Sequence, residues 1–295
     1  MIPRKTRTLL LHNPTAGASH PNHAELVDQL QQAGFAPVYQ STKDKAWKNN
    51  LKKRWDLVVV AGGDGTVART ARALWSRGVT LAIVPIGTAN NIARALGIAG
   101  DPNAIIPRLR DAPSCSLDIG IANGPWGKRR FVEAVGFGLI AKAISHSGPK
   151  PPKPLRIDSG REGLQKTLED AEAVRFQVDI DGEVFAGDFL FVEVMNLGLT
   201  GPALPLSLGA APADGLLDVV FCFEQDKALL SEWLSDTESR NCPVTVRRGR
   251  KVSLKWEHGH ARIDDRVYVP ASKGTKIKIK LEKSSIQVLV PDIMD

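Results

Sequence analysis

Only three cysteines occur in 295 residues, Cys115, Cys222 and Cys242, and they lie far apart without a Cys-x-x-Cys spacing. That argues against a disulfide framework and fits reduced thiols in a cytoplasmic protein. Long apolar runs are missing too, since none approaches the ~20 residues that a bilayer-spanning helix needs. The first apolar run, Thr8-Leu9-Leu10-Leu11, is too short for the core of a secretion signal and reads as a first strand. Of the six histidines only His258 and His260 have a ligand-like spacing. No third ligand accompanies them, so they read as loop residues rather than a zinc site. No segment interleaves basic and aromatic residues in a recognised nucleic-acid motif. No internal repeat is visible.

What is present is ordinary in bulk and uneven in charge. Hydrophobic residues make up 43% and charged residues 24%, as in a soluble globular protein. The length suits about two domains at roughly 100–200 residues each. A net charge of +7 favours a polyanionic partner: a nucleotide, an anionic membrane surface or, least supported, nucleic acid.

The chain turns on Asp56-Leu57-Val58-Val59-Val60-Ala61-Gly62-Gly63-Asp64-Gly65-Thr66. The valines predict a buried parallel strand, and the run from Val67 to Trp75 predicts a helix that stops by Gly78. Strand, glycines and helix N-terminus together make a phosphate cradle, because glycine lets the backbone approach an anion and the first helical N–H groups point at it. Asp64 suits such a loop if it reaches a phosphate-bound cation. A second strand, 79–84, breaks at Pro85-Ile86-Gly87-Thr88-Ala89-Asn90-Asn91 and feeds another short helix. Ahead of these, residues 8–12 end in the turn His12-Asn13-Pro14-Thr15-Ala16-Gly17, where Asn13 can bond the local backbone. A helix runs to Gly34, a strand covers 35–39, and a basic helix over 43–54 buries Trp47 and Leu51. This β-α-β-α order predicts an open α/β domain with a parallel sheet, whose ligands gather beyond the strand ends.

Beyond Leu117-Asp118-Ile119-Gly120 the pattern changes to period two. Phe176, Val178 and Ile180 face one way before the hairpin signal Asp181-Gly182, and Lys276, Lys278 and Lys280 alternate with Ile277, Ile279 and Leu281. The second half is therefore mainly antiparallel β. The run Gly148-Pro149-Lys150-Pro151-Pro152-Lys153-Pro154 reads as an exposed, mobile loop. The expected domains are residues 1–123, α/β, and 124–295, β-rich, with the C-terminal tail free to stay in the second or return to the first.

The paired loops, Gly62-Gly63-Asp64-Gly65-Thr66 and Pro85-x-Gly87-Thr88-x-Asn90, resemble the diacylglycerol kinase catalytic-domain family, soluble lipid kinases related to sphingosine and ceramide kinases. The resemblance extends through Asn13-Pro14-Thr15-Ala16-Gly17, Ala93-Arg94-Ala95-Leu96-Gly97, Leu117-Asp118-Ile119-Gly120 and Asp214-Gly215-Leu216-Leu217-Asp218, and so covers essentially the whole chain. It implies ATP in a cleft between the domains, contacted by Thr42, by the loop of Gly62, Gly63, Asp64, Gly65, Thr66, Val67 and Ala68, and by Thr88 and Asn90. Taken alone, Thr88 reads equally as a helix N-cap. It implies Mg2+ organised by Asp64, Asn91 and Asp118, because phosphoryl transfer needs charge neutralised and oxygens aligned. The family carries aspartate where this chain has Asn91, and an amide brings no negative charge to the ion.

The same resemblance implies Asp264 as the base that takes the acceptor hydroxyl's proton, with Asp265 as its understudy. Here Ile263-Asp264-Asp265-Arg266 departs from the family's Asp-Gly-Glu, and Arg266 either lowers the basicity of Asp264 or holds a phosphate. Asp181-Gly182-Glu183 keeps that triplet but reads as a hairpin turn. A structural metal, Mg2+ or alternatively Ca2+, is implied at the Asp214 carboxylate with the carbonyls of Ala211 and Leu216. Without the resemblance the same segment is a tight turn. The acceptor is a diacylglycerol-like or sphingoid membrane lipid, met by transient contact of a cytoplasmic protein with the membrane surface. Residues 149–156, Arg247-Arg248-Gly249-Arg250-Lys251 and the 276–280 lysines are candidate contacts, each equally a solvated face. Exposed β edges leave a homodimer open. Two other readings remain. One is an NAD kinase, which shares the Gly-Gly-Asp-Gly loop but carries an Asn-Glu pair that this chain lacks. The other is a degenerate member that binds nucleotide or lipid without turnover.

Overall fold

Leu57 and the β-branched Val58, Val59 and Val60, all buried, form the middle of a sheet, as β-branching favours. The computed structural model describes residues 6–16, 21–146, 156–238, 241–269 and 274–292. The proline-rich run at 148–154 lies outside the described residues. The chain divides into two compact units, Met1–Leu117 with Ser284–Asp295, and Asp118–Lys283.

The first unit runs β1 (Thr8–His12), α1 (His23–Gln32), β2 (Pro37–Ser41), α2 (Trp47–Leu51), β3 (Leu57–Gly62), α3 (Asp64–Leu74), β4 (Thr80–Pro85), α4 (Asn91–Ala95), α5 (Pro102–Ile105) and β5 (Ser114–Leu117). Its sheet has the order β2-β1-β3-β4, then the chain's last strand, Ile286–Leu289, then β5. All neighbours are parallel except β5, which runs antiparallel to the last strand. This is the expected α/β domain. α1 opens on a capping box, Asn22 with Glu25, and closes before Gly34 at φ 82.

Three local expectations shift. The helix expected from Val67 starts three residues earlier, at Asp64, because Gly63 in extended backbone serves as its N-cap. The strand expected over 35–39 forms over Pro37–Ser41. The basic helix expected over 43–54 shrinks to Trp47–Leu51, and Trp47 is only partly buried. Instead of entering the core, the Trp47 ring carries the cations of Lys48 and Arg69, each 5.8 Å from its centre.

The second unit contains β6 (Gly120–Gly124), β7 (Gly127–Phe131), β8 (Ala134–Gly138), α6 (Leu139–His146), α7 (Arg156–Glu169), β9 (Val174–Ile180), β10 (Glu183–Met195), β11 (Leu199–Thr200), β12 (Leu204–Pro205), β13 (Leu217–Phe223), α8 (Lys227–Ser235), β14 (Thr245–Gly249), β15 (Lys251–Trp256), β16 (Ala261–Ile263), β17 (Arg266–Tyr268) and β18 (Thr275–Leu281). One antiparallel sheet follows the path β17-β16-β8-β10-β9-β15-β18-β6-β7, with β13 pairing β10 and β14. The expected mainly antiparallel β half is therefore present. Its inner face packs Phe131, Phe137, Phe176, Phe221 and Trp256. Another cluster joins Phe191, Met195 and Val220 of the sheet to Leu164, Leu168, Leu230 and Trp233 of α7 and α8.

One cross-strand row is ionic. Glu193 on β10 faces Gly136 on β8, and Gly136 faces Arg262 on β16. A side chain at 136 would clash, because its Cβ would lie 2.0 Å from Glu193 Oε1. Over the bare glycine Arg262 donates from Nη2 to Glu193 Oε2 at 2.7 Å and from Nε to Oε1 at 3.0 Å, with both side chains fully buried. Removing one charge would strand the other in the interior. Glu193→Gln is expected to lower unfolding free energy by about 3 kcal/mol, read from the urea midpoint at unchanged slope.

Candidate functional site

The two glycine loops of the first unit pack backbone against backbone. A Cβ at Gly87 would lie 2.4 Å from Gly63 Cα, and a Cβ at Gly63 would lie 3.0 Å from Gly87 Cα. Both positions need glycine for this mutual approach. Asn90, left-handed at φ 51, fixes the second loop: its Oδ1 accepts from Gly87 N at 2.9 Å and its Nδ2 donates to Gly87 O at 3.2 Å. Asn90 is also the N-cap residue of α4, so Thr88, half-buried, is not the cap.

Asp64 joins the loops. Its Oδ1 accepts from Ile92 N at 2.9 Å, and the backbone N–H groups of Asn91 and Asn90 also bond the carboxylate. It sits in the first turn of α3 while binding the first amides of α4. Burial raises its pKa, against those N–H groups, which favour the ionised form. Asn91 is buried beside it. Asn13 comes in from the end of β1: Nδ2 donates to the Thr66 hydroxyl at 3.2 Å, and Oδ1 accepts from Thr15 N at 3.3 Å, the local bond expected of it. Thr42, half-buried beyond β2, donates its N–H to His12 O at 2.8 Å. Arg69 Nε donates to Gly65 O at 2.8 Å, bracing the α3 start.

In the second unit Asp118, Asp214 and Asp264 belong to a connected set of polar groups. Asp264 is 4% exposed and left-handed at φ 49, at the turn between β16 and β17. Its Oδ1 accepts from Val132 N at 3.0 Å and Glu133 N at 2.9 Å, while Oδ2 accepts from Val132 N at 3.3 Å. Arg262 Nη1 donates to Asp264 O at 3.0 Å. Arg266 and Asp265 are exposed, so the guanidinium against this turn is that of Arg262. Asn196, buried, donates from Nδ2 to Val132 O at 2.8 Å and to Asp118 O at 2.9 Å, tying the backbone of Asp118 to the segment that cradles Asp264. Asn196, Arg262 and Glu193 were not among the sequence candidates. Glu193 was signalled by a lone charge inside Phe191-Val192-Glu193-Val194-Met195.

Asp118 Oδ2 accepts from Gly215 N at 3.1 Å. Burial raises its pKa, against that N–H, and the charge of Asp214 raises it further. Asp214 itself is engaged on both oxygens. Oδ1 accepts from Leu216 N at 3.0 Å, and Oδ2 pairs with Arg248 Nη2, whose Nε binds Asp218 Oδ1 at 2.8 Å. Ala211 is exposed and Leu216 half-buried. A carboxylate already neutralised by a guanidinium does not fit a dedicated divalent ion. Among the described residues no group of three His, Cys, Asp or Glu side chains can hold a metal. Asp181-Gly182-Glu183 is the β9–β10 hairpin turn, with Asp181 bonding Arg250 N and Lys251 N at 2.8 and 2.9 Å.

Residues 7–122 match the diacylglycerol kinase catalytic domain. Over that stretch the chain belongs to the diacylglycerol kinase catalytic-domain family. A diacylglycerol kinase of Bacillus subtilis (strain 168) is 24% identical over 282 residues, which span 86% of this chain and 90% of that protein. A diacylglycerol kinase of Staphylococcus saprophyticus is 26% identical over 209 residues, but the match spans only 65% of its length. Among solved structures, a diacylglycerol kinase from Bacillus anthracis str. Sterne superposes with a TM-score of 0.71 over 98% of both chains at 18% identity, a likeness of fold. No described helix is long and apolar enough to cross a membrane.

Gly87→Ala is expected to cost about 1–3 kcal/mol through the clash with Gly63. Gly163→Ala in α7, where an added Cβ meets nothing within 4 Å, is expected to gain up to about 1 kcal/mol. Urea titrations of the two variants check the contrast. For the 214–218 turn, EDTA is expected to leave the thermal midpoint of the protein unchanged, whereas Arg248→Ala, which takes the half-exposed guanidinium away from the buried Asp218, is expected to lower it.

Proposed function

We propose that this protein is an ATP-dependent lipid kinase, transferring a phosphoryl group to a hydroxyl of a diacylglycerol-like or sphingoid lipid. One observation carries the reading. Two glycine loops, each leading into a helix N-terminus, are locked together by the Gly63–Gly87 approach and by the Asp64 carboxylate, in a chain of this kinase family. The names of its relatives support the substrate class, and the chemistry of the residues supports the roles.

The amides of the first turn of α3 and the hydroxyls of Thr66 and Thr88 would receive phosphate oxygens, with Thr42 and Asn90 completing the nucleotide side. A phosphate approaching Asp64 meets a negative charge, so this arrangement needs a cation. Asp64 and Asn91 are hard oxygen donors that suit Mg2+, and burial of the Asp64 carboxylate creates a penalty that a bound cation relieves. Mg2+ would supply charge neutralisation on the transferring group. Asp264 would accept the hydroxyl proton on its carboxylate, which the amides of Val132 and Glu133 hold in place. Asp265, exposed beside it, is the weaker candidate.

The test is incubation with labelled ATP, Mg2+, a panel of dispersed lipids and, separately, NAD. Label on lipid, reduced at least ~100-fold in Asp264→Asn with the fold intact by circular dichroism, is the expected outcome. Full activity in Asp264→Asn would remove the assigned base. Label on NAD alone would overturn the lipid acceptor, and no label anywhere would overturn the kinase.

A further inference from the structure

The outer face of the second unit's sheet carries charge of nearly one sign. On β15 the side chains of Val252, Leu254 and Trp256 are buried in the core, and on β18 those of Ile277 and Ile279. The alternate positions, Lys251, Ser253 and Lys255 on β15 and Lys276, Lys278 and Lys280 on β18, therefore share the opposite face. The register sets lysine against lysine twice, Lys251 opposite Lys280 and Lys255 opposite Lys276. Lys278 faces Ser253 on one side and Asn123 on the other, and Asn123 faces Lys128 on β7.

Like charges directly opposite on adjacent strands destabilise a sheet. The nearby carboxylates offset them only in part. Glu257 pairs with Lys255 at 2.5 Å, Glu282 pairs with Arg130 at 2.9 Å and Lys128 at 3.6 Å, and Asp179 accepts from Gly182 N at 3.2 Å. Among the described residues Lys251, Lys276, Lys278 and Lys280 form no ion pair, and all four are exposed. Solubility would be served equally well by mixed signs, without the repulsion. A broad surface of opposite charge resolves this arrangement.

We propose that the β15–β18 lysine face docks the protein on the surface of an anionic lipid bilayer. Flexible four-carbon stems on neighbouring strands about 4.8 Å apart present several ammonium groups to one plane, as a membrane surface requires. The outward positions of β15 and β18 hold no aromatic ring on which a base could stack, which disfavours single-stranded nucleic acid. The choice of a bilayer rests on the lipid-kinase reading, but docking itself is measured without nucleotide.

The experiment is sedimentation with vesicles of phosphatidylcholine, alone or mixed with phosphatidylglycerol, over a salt series. The wild-type chain is expected to bind only the mixed vesicles, more weakly as salt rises. The combined variant Lys276→Gln, Lys278→Gln, Lys280→Gln is expected to bind about 100-fold more weakly, about fivefold for each lysine. Its thermal midpoint is expected to hold or rise, which separates lost docking from lost fold. A second variant, Lys45→Gln, Lys48→Gln, Lys52→Gln, removes equal charge from the first unit and is expected to bind as wild type. Equal loss in both variants, equal binding to neutral vesicles, or tighter binding to single-stranded DNA than to mixed vesicles would overturn the proposal. Docking without phosphoryl transfer would support this surface while the kinase reading fails. Transfer to detergent-dispersed lipid without docking would do the reverse.

Discussion

A single carboxylate placed at two helix N-termini organises the first unit. Asp64 stands in the first turn of α3, where the helix dipole favours a negative charge, and accepts hydrogen bonds from the leading amides of α4. Those amides have no partners within their own helix, so the carboxylate meets a need that α4, at five residues, cannot meet itself. The same bond brings the loop after β4 against the loop after β3, and only glycine at 63 and 87 lets the two backbones come so close. Charge and sterics act on one junction from opposite sides. The charge needs the amides near, and the absent side chains allow it.

The second unit solves a harder problem in the same manner. Asp264 is held in a left-handed turn that costs a non-glycine residue about 1 kcal/mol or more, and its surroundings supply the compensation. Two amides fix one carboxylate oxygen, Arg262 fixes the carbonyl, and Glu193 fixes Arg262 across the gap left by Gly136. Asn196 then ties the Val132 carbonyl to the backbone of Asp118. Such a network is rigid because each member is buried and bonded, and loosening one strands the next.

Much of this fold was readable from pattern alone. Buried valines at 58–60, alternation at 175–180 and the lysine–isoleucine alternation at 276–281 became β3, β9 and β18, because burial on two faces, or on one, leaves period-specific traces. The start of α3 was misread because Gly-Asp-Gly has the composition of a loop, whereas here it enters the helix directly. Trp47 was misplaced because an aromatic ring among lysines can lie on cations as well as in a core. Of the site, the loops and aspartates were legible as motifs. Their holders were not: Asn196, Arg262 and Arg248 lie 64 residues from Val132, 69 from Glu193 and 30 from Asp218, and nothing local marks such pairings.

Asn91 and Arg248 act in the same direction. Asn91 is 2% exposed beside the half-buried Asp64. A carboxylate there would set two like charges together in a region of low dielectric, an arrangement that folds well only with a cation between them. The amide removes that dependence, and the loop is held by the Asn90 side chain and by the backbone N–H groups that bond Asp64. At the 214–218 turn Arg248 supplies a fixed positive charge to Asp214 and Asp218. Asn91 adds no charge that would need neutralising, and Arg248 neutralises the charge of Asp214 and Asp218. The two loops and the turn can therefore take their shape before any cation arrives.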